Sequence, residues 1–206
     1  YQIVNRTTVK SDKVYKAMVV AAPKKKIDKY LQLASLLDLK VKAIDVAANS
    51  ISRVFAGVYH FNKNLESIGI LDIGAVSTSI SILDKGSLFI EREIPIGISQ
   101  MAESFGSNFT NDPDKYHENF ITKFNLLNAQ ADNSAQGKIK AMFDNLMEVL
   151  QKVTSFYRGG NYEKKLDHVF LLGAGCEVYG IEKYVKESIG AEARSLMSMD
   201  ELYLKI

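Results

Sequence analysis

Tryptophan is missing from this chain, cysteine occurs once and proline three times in 206 residues. The single cysteine, Cys176, excludes an internal disulfide and fits a reducing compartment, so a cytoplasmic protein is expected. Histidine is also scarce. His60, His117 and His168 have no cysteine or histidine at the spacing of a zinc site, and they read as surface or packing residues. No apolar run approaches the roughly 20 residues of a membrane-spanning helix, and no leader pattern opens the sequence. Charge of one sign is lacking too: 26 basic against 24 acidic side chains leave +2, which offers no field for nucleic acid. Lys24-Lys25-Lys26 is too short to change this and reads as the solvated start of a helix. Membrane contact is therefore expected only through a partner. The chain opens on Tyr1 rather than methionine, as a trimmed or partial chain would.

What is present is an ordinary soluble balance, 47% hydrophobic and 24% charged, enough for one or two packed units. "YKAMVVAA", Tyr15 to Ala22, reads as a strand that Pro23 turns into a helix, with an edge strand in "YQIVNRTTV" before it. Ile27, Tyr30, Leu31, Ala34 and Leu37 then recur at helical spacing. "VKAIDV", Val41 to Val46, predicts another strand, followed by a helix carrying Ala47, Ile51, Val54, Phe55 and Val58 on one face. From Leu65 the rhythm changes to three strand-length runs, "SIGILDIG", "VSTSISILD" and "GSLFIEREIP". Asp84-Lys85-Gly86 joins the last two as a hairpin. The polar stretch 106–136 reads as an insertion.

Lys138 to Arg158 is the plainest helix, with an apolar stripe from Ile139 to Tyr157 and a stop at Gly159-Gly160. "LDHVFLLG" is a buried strand, "EVYGIEKYVKESIG" supplies a helix, and a last strand lies near Ala191 to Leu196. Three antiparallel strands followed by strands added through helices make an α/β mixed sheet with helical cover, as in ribonuclease H-like folds.

Two glycine-bearing sites stand out. In "LDIGAVSTSISILD" a strand ends on Asp72, turns at Gly74 and restarts with Ser77 and Thr78. Such a hairpin can bring main-chain N–H groups and hydroxyls to phosphate. The acid is out of place there. Two unit charges 4 Å apart repel by about 4 kcal/mol at an effective dielectric of 20, so Asp72 needs a cation such as hydrated Mg²⁺ between itself and a phosphate. An Asp-containing bend that closes on itself explains the same residues. The second site, Gly173-Ala174-Gly175, lies after a strand and before a helix, where small residues admit a flat ligand or allow close packing.

Taken with "MVVAAPKKKIDKYLQLASLLDLKVKAIDV" and "VFLLGAGCEVYGIEKYV", these sites resemble the PilM family of type IV pilus assembly proteins, FtsA-related members of the actin-like ATPase superfamily. The resemblance covers most of Tyr15 to Leu196 and weakens between Ser99 and Ser134. It implies an actin-like fold, with residues 1–45 as a small α/β subdomain and 46–206 as the second half of the actin-like body. It further implies that Asp72, Gly74, Ser77 and Thr78 match the second phosphate loop, Gly173, Ala174 and Gly175 match the adenosine motif, and Asp72 faces Mg²⁺ through water. ATP with Mg²⁺ is the implied cofactor. The implied partner is the cytoplasmic tail of a PilN-like inner-membrane protein, with further copies of the chain as a second contact.

Three departures bear on activity. No other Asp-x-Gly hairpin precedes Tyr15, the family's Ala-Glu-x-x-Lys helix is not reproduced by "NDPDKYHENF", and Gly173-Ala174-Gly175 stands for a richer glycine run. The expectation is a scaffold of the pilus machinery at the inner face of the cell membrane, at most a weak ATPase. An ATP-binding switch or an FtsA-like filament former is the alternative.

Overall fold

The computed structural model describes residues 2–9, 12–61, 66–105, 118, 120–159 and 164–196. The chain divides into two compact units, 1–45 and 46–206. In the first unit, β1 (Gln2–Val9) and β2 (Asp12–Met18) pair antiparallel, and α1 (Lys24–Leu36) follows. The expected strand to Ala22 stops at Met18. Val19 to Ala22 have no regular structure, because an apolar run becomes a strand only where a neighbouring ladder takes its N–H and C=O groups. Pro23 caps α1 from outside rather than sitting in its first turn; its carbonyl accepts from the Lys26 N–H at 2.9 Å. The helix predicted on Ile27, Tyr30 and Leu31 is there, yet none of its residues is buried. Residues 41–46 are not a strand, for the same reason as Val19 to Ala22.

The second unit opens with α2 (Ala47–Phe61) and builds a five-stranded sheet from β3 (Ser67–Ile73), β4 (Thr78–Asp84), β5 (Ser87–Ile94), β6 (His168–Leu172) and β7 (Glu192–Ser195). Strand order is β5-β4-β3-β6-β7. The first three are antiparallel, and β6 and β7 run parallel to β3. This is the ribonuclease H-like order that the sequence predicted. The β4–β5 hairpin turns on Lys85 and Gly86, with φ of +50° and +74°, the pair of positive values a two-residue hairpin needs.

Helices cover both faces. On one side α3 (Ile98–Phe105), α4 (Ala135–Arg158) and α5 (Ile181–Ile189) enclose a core containing Leu71, Ile73, Ile80, Ile82, Phe143 and Leu146. On the other, Phe55 of α2 packs on Phe170 at 5.0 Å between ring centroids, beside Ile68, Ile70, Leu83 and Leu172. The α4 stripe is core as expected except for Phe156, which is 66% exposed and meets Phe89 at its rim. α5 starts later than predicted: Ala174–Glu177 form a separate 3₁₀ turn, and α5 begins after Gly180, at φ +87°. Within 106–136, residues 106–117 and 119 lie outside the described residues. Phe120, Phe124, Leu126 and Ala129 are buried in the larger core.

Candidate functional site

The two glycine sites meet at one end of the sheet. β3 and β6 are parallel neighbours, so their ends lie side by side, with Asp72 in register with Leu172 of β6 and with Ser79 of β4. A Cβ placed on Gly173 would stand 2.5 Å from the Ile73 carbonyl oxygen and 2.6 Å from Asp72 Oδ1. Gly173 also has φ +76°, so the position requires glycine twice over. A Cβ on Gly175 would fall 2.3 Å from Ile73 Cγ2, and Ala174 starts the 3₁₀ turn between them. The glycines thus let the turn press against the base of the hairpin. They are filled by the chain's own atoms rather than left as an open cradle.

The hairpin itself is held from the other side by α3. The Ile98 and Ser99 N–H groups, two of the orphan donors at a helix start, donate to the Gly74 and Ala75 carbonyls at 3.0 and 2.9 Å. Gly97 lies so close that a Cβ there would be 2.4 Å from the Ala75 oxygen, and its N–H donates to Gln100 Oε1 at 2.7 Å. Gly97 and Gln100 were not singled out from the sequence. Their signal is a glycine just before a helix with glutamine three residues on, the reciprocal half of a capping box.

The hydroxyls expected to face phosphate have protein acceptors. Thr78 is buried and its Oγ1 donates to the Ile96 carbonyl at 2.7 Å, while Ser77 Oγ donates to Glu93 at 2.8 Å. Ser79 reaches Glu91 at 3.5 Å, the limit of a hydrogen bond. β5 brings these acids in register, Glu93 beside Ser79 and Glu91 beside Ser81. The alternating Glu91-x-Glu93 on an edge strand was the available signal, and it becomes legible only once pairing is known.

Electrostatics follow from burial. Half-burial raises the Asp72 carboxyl above the ordinary carboxylate range. Burial also raises Glu91, with the Ser79 hydroxyl acting against it and Glu93 adding to it. Cys176 is pushed up to about 11, by burial first and then by Glu177 and Asp72, which makes it an inert thiol. Among the described residues no group of three or more His, Cys, Asp or Glu side chains is placed to hold a metal ion.

For ATP with Mg²⁺, the cofactor that the family resemblance implies, the fit is uneven. Asp72 suits an outer-sphere metal contact, since a cation would offset the burial that raises it. The hydroxyls do not suit phosphate: Thr78 and Ser77 are committed elsewhere, and Glu93 adds negative charge beside the hairpin. What remains for an anion is the exposed tip at Ala75 and Val76.

The model of the type IV pilus assembly protein PilM family matches residues 1–203. The chain belongs to the PilM family. Among solved structures, a PilM-PilN type IV pilus biogenesis complex superposes with a TM-score of 0.65 at 17% identity, over 87% of this chain and 49% of that one. MreB5 of Spiroplasma citri bound to AMPPNP gives 0.61 at 12% identity, over 89% and 63%, and its ADP-bound form gives 0.60 at 13%, over 89% and 64%. These likenesses establish the actin-like fold. The chain spans about half the length of the PilM structure and less than two thirds of MreB5. No curated protein matches by sequence. Among the described residues no helix is long and apolar enough to cross a membrane.

Proposed function

We propose that this chain is a docking component of the type IV pilus assembly machinery, and that it holds the cytoplasmic tail of a PilN-like inner-membrane protein at the inner face of the membrane. Membership in the PilM family over 1–203 carries the reading, and the PilM relative's structure as a complex with PilN supplies the partner class. The site geometry supports a role without turnover: the phosphate-loop hydroxyls serve the hairpin's own rigidity. In this reading residues 1–45 are the counterpart of the family's small extra subdomain and 46–206 of its second half.

Calorimetric titration of the folded chain with the partner's cytoplasmic peptide tests it. Saturable one-to-one binding is expected. A folded chain that gives no binding heat and no shift in melting temperature rejects the docking role.

A second reading, a nucleotide-responsive switch, rests on one observation. Asp72 is a half-buried carboxylate raised by burial, and a Mg²⁺ ion beside it would offset that burial.

A further inference from the structure

We infer that the small unit, residues 1–45, binds an anionic lipid surface directly through the outer face of α1. Its charge is unlike that of the rest: it carries 10 basic and 4 acidic residues, net +6, whereas 46–206 carry 16 and 20, net −4. The overall +2 conceals this division. A near-neutral protein thus contains a compact basic unit, the charge pattern of a surface that meets anions.

The outer face of α1 is apolar where a solvated helix would be polar. Lys26, Lys29, Leu33 and Leu36 recur at spacings of three and four and share one stripe. All four are exposed, Leu36 at 85%, and the residues of α1 with partial cover, Ile27, Asp28 and Ala34, lie off this stripe. Lysines begin the stripe and leucines complete it. The following residues continue the pattern, with exposed Leu39 and Val41 alternating with Lys40 and Lys42.

Charge complementarity selects the occupant. Three lysines fill the first turn of α1, where no acid balances them and where the helix dipole already places positive charge. That arrangement is unfavourable in water and is relieved by an anionic surface. A polyanion such as nucleic acid or an acidic polypeptide would use the lysines but leave Leu33, Leu36 and Leu37 in water. A bilayer interface takes both, with leucines among the acyl chains and lysine stems extending to the headgroups.

Flotation of the full chain with vesicles tests the inference. Binding is expected to vesicles of roughly one-third phosphatidylglycerol in phosphatidylcholine, and not to phosphatidylcholine alone. The double variant Lys26→Gln, Lys29→Gln should lower partitioning about thirtyfold, since each lysine near such a surface contributes on the order of 1 kcal/mol. Leu33→Ser with Leu36→Ser should weaken binding while leaving its salt dependence unchanged. Both variants alter exposed side chains, and unchanged far-UV circular dichroism shows that α1 still forms. Equal binding to neutral vesicles, no binding to either, or a serine variant that binds like the parent while polyglutamate competes would each overturn it. The peptide titration above contains no lipid, so the two readings fail separately.

Discussion

Gly173 has φ +76° and stands against the end of β3, whereas Gly190 has φ +74° and open space where a Cβ would stand, with nothing within 4 Å. Gly190, at ψ +22°, is left-handed, whereas Gly173, at ψ +174°, lies where essentially only glycine is found, so alanine at Gly173 adds both strain and contact. Gly190→Ala should cost about 1 kcal/mol, the left-handed penalty alone. Gly173→Ala should exceed it by at least about 2 kcal/mol, because its backbone angles are costlier for alanine and its methyl meets the Ile73 carbonyl and the Asp72 carboxylate. Urea unfolding of both variants gives the difference, and equal costs would show that the glycine contact at the site is dispensable. Asp72 makes a pH-dependent prediction. Its carboxyl is raised above 3.8 by burial, so the native state binds its proton more tightly than the unfolded state does. Stability therefore falls as pH rises from that value through the folded pKa, and the loss persists at neutral pH. Asp72→Asn should raise the melting temperature slightly at pH 7 and leave it unchanged below pH 3.8, a contrast that thermal scans at the two pH values resolve.

At the scale of elements, α4 shows how a helix is delimited and held. Ser134 caps it by accepting from the Gly137 N–H at 3.0 Å, and Gly159, at φ +55°, ends it. Ser134→Ala should cost about 1 kcal/mol in denaturant unfolding. No change would mean that Asp132, which accepts from the Ser134 N–H at 2.9 Å, holds the turn by itself. Further along, Lys140 donates to Tyr184 of α5 at 2.9 Å and pairs with Asp144, and the Tyr184 hydroxyl also donates to Asp144. This cluster ties α4 to α5. The apolar stripe of α4 was legible because one face is buried over its whole length. α1 has the same kind of periodicity and buries nothing, so period identifies a helix without saying what lies against it. Residues 41–46 make the corresponding point for strands. Their apolar content suits a strand, but a strand also needs a neighbour, and composition does not name one.

For the whole molecule the open question is nucleotide. A ligand that binds only the native state raises its stability by RT ln(1 + [L]/Kd), so Mg-ATP in large excess over any useful affinity would add about 3 kcal/mol. The docking reading predicts no shift in melting temperature with Mg-ATP, in the parent chain and in Asp72→Ala alike. A magnesium-dependent shift that Asp72→Ala abolishes would favour the switch.

The sequence by itself determined the order of strands and helices in 46–206, the β4–β5 turn, the C-terminal end of α4 and the positions of two glycine-bearing turns. Each of these is a local preference: a period, a cap, or a backbone angle that glycine tolerates. It also contained enough motif to identify the PilM family. Only the tertiary structure decided that Asp72 and Gly173 touch, that Thr78 and Ser77 donate to Ile96 and Glu93, and that α3 fixes the hairpin through Gly97. Those facts depend on which strands become neighbours and in what register, and hydrogen bonds between residues distant in the chain have no signature in the spacing of either partner.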